Sequence, residues 1–153
     1  MTPTDTTALT HEVHIAAEPE TVFAFFTDPD KMIQWKGRVA ELDPRPGGVY
    51  RVDVTGEHVA RGEYVELDPP HRVVFTWGWE GGDAVPPGSS TVEITLTEQA
   101  GGTLVRLEHR DLPEPERSPH GHGWDHYLER LVIAAGGGDA GPDPWAQEGA
   151  DRS

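Results

Sequence analysis

Between residues 39 and 110 the chain keeps returning to one pattern, a short run with an apolar side chain at every second position, closed by glycine, proline or aspartate. A period of two sends successive side chains to opposite faces of a strand, so each run specifies one buried and one wet face. The breaks are too short for crossover helices, and neighbouring runs are therefore expected to pair antiparallel, as a meander. Residues 39–42 break at 44–48, and Tyr50, Val52 and Val54 alternate up to Thr55-Gly56. Residues 59–67 run to Asp68-Pro69-Pro70, and Val73, Phe75, Trp77 and Trp79 share a face ahead of a Gly/Pro loop at 81–88. Val92, Ile94 and Leu96 pair through a turn at 99–102 with Val105, Leu107 and His109. About six strands follow from this periodicity.

The flanks read differently. Leu9, Val13 and Ile15 share a face with His11, the alternation of a half-buried first strand. Pro19 opens a short helix carrying Val22, Phe23, Phe25 and Phe26. Asp28-Pro29 is an N-cap followed by proline at the first helical position, and predicts a second short helix with Met32, Ile33 and Trp35. After the strands, Ser118-Pro119 predicts the start of a long helix in which His120, Trp124, Leu128 and Leu131 recur at helical spacing, with Tyr127 beside them. Gly136-Gly137-Gly138 ends it. Residues 1–8 are polar and aperiodic, and 136–153 are rich in Gly, Pro and Asp, so both are expected to be flexible tails around one domain at 9–135. A chain of 153 residues suits a single core.

Composition removes several function classes. The chain has no cysteine, so disulfides, thiolate nucleophiles and cysteine-held zinc are excluded. Twelve Lys plus Arg against 27 Asp plus Glu give a net charge of -15, a field that repels nucleic-acid backbones and serves solubility. No stretch approaches the roughly 20 apolar residues of a membrane span, and the start pairs no basic residues with an apolar run. A cytoplasmic location is expected.

Several motifs then occur in a familiar order: Pro46-Gly47-Gly48-Val49-Tyr50-Arg51, then Gly62-Glu63-Tyr64-Val65-Glu66-Leu67-Asp68-Pro69-Pro70 leading into Val73-Val74-Phe75-Thr76-Trp77, then His120, Gly123-Trp124 and Tyr127-Leu128. Over residues 9–135 the chain resembles the Activator-of-Hsp90-ATPase-homologue family of the START-like (SRPBCC) superfamily. The resemblance implies an α+β helix-grip fold. In that fold a seven-stranded curved antiparallel sheet wraps around a long C-terminal helix, with two short helices between strands 1 and 2. It also implies a cavity between sheet and helix that in relatives receives lipids, polyketides or other apolar molecules. The family name implies a chaperone partner. Stimulation of Hsp90 in the namesake depends on a further N-terminal domain, and nothing of that kind precedes Leu9 here, so the chaperone role is expected to be secondary.

The inward face assigned from periodicity comprises Tyr50, Val52, Val54, Phe75, Trp77, Trp79, His109, His120, Trp124 and Leu128, an apolar set with a few polar tips. These residues either line a ligand cavity or fill the core. His109 and His120, ending the last strand and opening the helix, are the candidates for an acid–base group, with a satisfied structural histidine as the alternative. No nucleophile is marked, because Ser89-Ser90 and Ser118 sit in no recognisable elbow. His122 and His126 stand four apart on a helix but lie beside the apolar stripe and lack a third ligand, while His11 and His14 fall on opposite strand faces. Gly136-Gly137-Gly138 follows a helix and lacks the lysine of a phosphate loop. No metal and no cofactor are expected.

Three functions are consistent with these features: a binding protein for a small apolar or aromatic molecule, a cyclase- or hydrolase-like enzyme using a cavity histidine, and a chaperone-associated interaction module. The first is the leading expectation, and catalysis is the less favoured.

Overall fold

The computed structural model describes residues 8–54, 58–81 and 85–141. Thr55-Gly56, part of the 81–88 loop, residues 1–7 and the end of the chain from 142, with Trp145, lie outside the described residues. The order is β1 (Ala8–Ile15), α1 (Pro19–Ala24), α2 (Pro29–Met32), β2 (Val39–Leu42), β3 (Val49–Asp53), β4 (Val59–Asp68), β5 (Arg72–Trp77), β6 (Ser90–Gln99), β7 (Gly102–Arg110) and α3 (Glu114–Ala135). All strands join one sheet ordered β1-β7-β6-β5-β4-β3-β2, antiparallel at every step. The meander expected from the turn signals runs from β2 to β7, and β1 returns beside the last strand with Val13 opposite Val105.

Alternation along the strands sorts the two faces. Val52, Phe75, Val92, Ile94, Val105 and Leu107 are buried on the inner side. The outer side carries a charge ladder: Arg51 Nε donates to Glu80 at 2.8 Å, Arg72 pairs with Glu66 and Glu93, and Arg110 Nη1 donates to Glu93 at 2.7 Å. Such half-exposed pairs each contribute at most about 1 kcal/mol, so their main effect is to keep that face wet and the register fixed. A bulge between Tyr64 and Glu66 leaves Val65 exposed while Tyr64 stays inside, its hydroxyl donating to the Phe26 carbonyl at 2.8 Å. That bond ties the end of the α1 segment to the middle of the sheet.

Two helix boundaries differ from the sequence pattern. The structure opens α3 at Glu114 rather than at Ser118-Pro119, with Pro113 as cap residue, and Pro119 lies inside the helix. Pro115 occupies the first turn, where a missing N–H costs nothing, and Glu114 and Glu116 favour the positive end of the helix. Pro119 then sacrifices one helical bond. At the other end, α2 stops at Met32, so Ile33 and Trp35 lie in the turn beyond it rather than on the helix. Asp28 caps as expected, its carboxylate accepting from the Asp30 N–H at 2.9 Å.

The α3 terminus is a Schellman arrangement. Gly137 takes φ +99°, Gly138 N–H donates to Ile133 O and Gly137 N–H to Ala134 O. The chain then folds back, and Arg130 donates to the carbonyls of Ala140 and Gly141 at 3.3 and 2.7 Å. No helix among the described residues is long and apolar enough to cross a membrane.

Candidate ligand cleft

A cleft of about 310 Å³ lies between α3 and one end of the sheet. From the sheet come Val54, just past β3, Trp77 at the end of β5 and Trp79 two residues beyond. Trp79 falls outside β5 but holds the same face, because it bridges to Ala60 and its N–H donates to Val85 O at 2.7 Å. From α3 come Glu116, Pro119, His120, Gly123, Trp124 and Tyr127, spaced three and four apart as one stripe of a helix. His58 and Lys36 complete the wall. The indoles converge: Trp77 packs edge-on to Trp79 and tilted against Trp124, both at 5.3 Å between ring centroids.

Lys36 is the unusual member. It is 3% exposed, and its Nζ lies 3.7 Å from the Trp77 ring centroid and 4.3 Å from that of Trp124. Nζ has no hydrogen-bond partner among the described residues. Its place is imposed by its neighbours. The Trp35 indole N–H donates to Phe25 O at 3.0 Å, and Trp35 O accepts from Arg130 Nε at 3.1 Å. Gly37 follows at φ +91°, and a Cβ there would stand 2.5 Å from Val52 Cγ1, so only glycine lets this turn press onto β3. Burial pushes the Lys36 amine well below the usual lysine range. The two indole faces favour the ammonium by about 2 kcal/mol, but the effective penalty on a buried, unpaired ion is several kcal/mol. Burial therefore prevails.

Both histidines are fully engaged. His109, with no exposed surface, accepts from the Trp124 indole at Nδ1 (3.0 Å), which places its proton on Nε2. Nε2 then donates to Ser90 Oγ at 2.8 Å, and Ser90 donates in turn to Trp77 O at 2.8 Å. His120 has the opposite tautomer, accepting from Trp79 Nε1 at 2.9 Å and donating from Nδ1 to Glu116 O at 2.8 Å. Burial first, then the neighbouring His120 and Lys36, hold the His109 imidazole down to about 2. Burial also lowers His120, against the opposing pull of Glu116. Neither ring has a nitrogen to spare for a substrate proton. Their geometry is that of posts that aim Trp124 and Trp79.

Residues 16–136 match the family described as Activator of Hsp90 ATPase homolog 1-like protein. The chain belongs to this family. It is 27% identical over 110 residues to human Activator of 90 kDa heat shock protein ATPase homolog 1, covering 71% of this chain and 31% of that protein. The chain thus spans about a third of the curated relatives it matches. Among solved structures it is similar to the AHSA1-like protein of Rhizobium etli, at 52% identity and TM-score 0.72, covering 90% of this chain and 87% of that one. CalU16 from Micromonospora echinospora is 28% identical with a TM-score of 0.72, covering 95% of this chain and 82% of its own. The helix-grip architecture expected from the family resemblance is the one this chain adopts.

On this AHSA1-like scaffold the residues singled out in the sequence divide in two. Val54, Trp77, Trp79, His120 and Trp124 line the cleft. Tyr50, Val52, Phe75, His109 and Leu128 are buried in the core and do not line it. Tyr50 stacks on Phe75 at 4.1 Å, beneath Trp77. Glu116 and Pro119 escape the sequence pattern because the helix starts a turn earlier than that pattern suggests. Lys36 escapes it because a lysine beside a glycine in a turn ordinarily reads as surface. His122 is exposed, His126 packs on Tyr127 at 4.7 Å, and among the described residues no group of three His, Asp or Glu could hold a metal.

Proposed function

We propose that this domain binds a small apolar or aromatic molecule in the cleft between the sheet and α3. The observation that carries the reading is the convergence of Trp77, Trp79 and Trp124 on one cleft of about 310 Å³, near the small end of ligand sites and suited to one or two fused rings. The two histidines support it indirectly, since each fixes an indole in place and so pre-forms the walls. Native mass spectrometry of the purified protein, followed by thermal-shift screening against aromatic and lipid-like compounds, tests the proposal. A retained small molecule or a concentration-dependent rise in Tm is expected. No co-purifying compound and no shift across the library would refute it.

A second reading, association with a heat shock protein ATPase, draws on the similarity to the human activator over 110 residues. Co-precipitation with that chaperone from the cell of origin is its test, and a clean failure to recover it removes this reading without touching the first.

A further inference from the structure

Two side chains that line the cleft carry N–H donors with no acceptor among the described residues. Lys36 Nζ is buried between the Trp77 and Trp124 faces, and Trp77 Nε1 is likewise buried, each without a hydrogen bond to a described residue. The contrast with the other indoles of the cleft is sharp, because Trp79 donates to His120 and Trp124 to His109. Buried donors are nearly always satisfied in folded proteins, so a pair left open in one lined cleft marks where a partner oxygen is missing. A lysine asks for more than a neutral oxygen. Removed from water, its ammonium persists only beside an anion, and among the described residues no carboxylate accepts from Nζ. The groups that face it are His109 and His120, both neutral, the Trp77, Trp124 and Tyr127 rings, and Glu116 and His58 along the same wall.

We propose that the cleft selects an aromatic acid, a ring compound whose carboxylate or phenolate oxygen accepts from Lys36 Nζ and Trp77 Nε1 while its ring lies among the indoles. This rests on the cleft being a ligand site and adds the chemistry of the ligand. The net charge of -15 repels anions at a distance, so the selectivity is local and comes from these two donors. An acid entering restores the lysine's charge, gives it a counter-ion and leaves the two cation–π faces in place.

The test is isothermal titration calorimetry with matched pairs that share a ring and a carbonyl but differ in charge: benzoate and acetophenone, 2-naphthoate and 2-acetonaphthone, indole-3-carboxylate and 3-acetylindole. The wild-type protein should bind the acid of at least one pair tenfold or more tighter than its ketone. Lys36→Met should bring the acid-to-ketone affinity ratio within about threefold of one, whatever it does to both affinities, and Trp77→Phe should reduce the ratio partially. Equal affinities in the wild type, or a preference that survives Lys36→Met, would overturn the acid anchor and leave the cleft as a neutral site. Binding of no member of any pair would overturn both. The wild-type comparison decides by itself should a variant fail to fold.

Discussion

The Trp124 indole donates to His109 Nδ1 at 3.0 Å, joining the middle of α3 to the last strand through a bond buried from water at both ends. His109 passes the connection on to Ser90 and the Trp77 carbonyl, so one neutral imidazole holds helix, β6 and β5 together. Replacing it with alanine opens a cavity and strands the indole N–H. His109→Ala should cost about 3 kcal/mol or more in urea unfolding. Trp124→Ala should cost about 3 to 5 kcal/mol, because it also deletes the large ring that covers Trp77. A loss below about 1 kcal/mol for either would show that α3 is not anchored through this bond.

The same imidazole gives the fold an acid limit. Its folded value of about 2 lies below the 6.5 of a free histidine, so the unfolded chain takes up a proton that the folded chain refuses. The sign is therefore fixed: the contribution is fully present above about pH 6.5 and is lost as pH falls towards 2. His120 is shifted in the same direction by its own burial. Between pH 6.5 and 5, before carboxylates titrate, stability should fall by about 2 kcal/mol for His109. His109→Gln should flatten that slope, and urea midpoints at the two pH values would reveal it.

Lys36 should show the opposite of what its position in a core suggests. Its amine is depressed by burial, so at neutral pH the unfolded chain gains a proton that the folded site resists. Removing the group relieves that penalty. Lys36→Met should raise stability by about 1 to 2 kcal/mol at pH 7, and the gain should shrink as pH rises towards about 10.4 and be absent above it. A Met variant less stable than wild type at pH 7 would mean that the cation–π contacts outweigh the burial.

Arg130 sets a boundary for the C-terminus. Its guanidinium is nearly buried, donating to Trp35 O, Ala140 O and Gly141 O. Truncation from residue 142 leaves all three acceptors, whereas truncation from 138 removes two. The shorter chain should be less stable than the longer by about 1 to 3 kcal/mol. Equal melting would show that solvent replaces those carbonyls without loss.

Legibility from sequence tracked the range of the forces involved. Period-two runs such as Val92, Ile94 and Leu96 encode strand and face locally, and the turns between them order the meander, so the sheet could be read directly. The start of α3 could not, because Pro115 and Pro119 both satisfy first-turn rules and the choice between them depends on how the chain leaves β7. Half of the expected inner-face residues reach the cleft, since alternation tells inside from outside but not how deep a side chain lies. Lys36 had no local signal. Its burial comes from Trp35 being held by Phe25 and Arg130, contacts spanning 10 and 95 residues.

The cleft itself can be read through its own indoles. Trp77 and Trp79 stand two apart on one face and both line the cleft, whereas Trp35 is buried elsewhere. A ligand that does not absorb near 280 nm, such as 1-adamantanecarboxylate, should change the emission of at least one of them by displacing water or by altering the nearby charge of Lys36. Each single variant, Trp77→Phe and Trp79→Phe, keeps an aromatic wall and removes one reporter. The two also differ in a second way. Trp79→Phe leaves His120 Nε2 without its donor, while Trp77→Phe orphans no described group, since its indole N–H has no acceptor among the described residues. The ligand-induced change should therefore fall in at least one variant, and His120 should titrate closer to an ordinary histidine in Trp79→Phe alone, which NMR of the imidazole protons would detect. If calorimetry shows 1-adamantanecarboxylate binding yet the full fluorescence change persists in both variants and in Trp124→Phe, the third indole of the wall, the ligand lies outside the cleft.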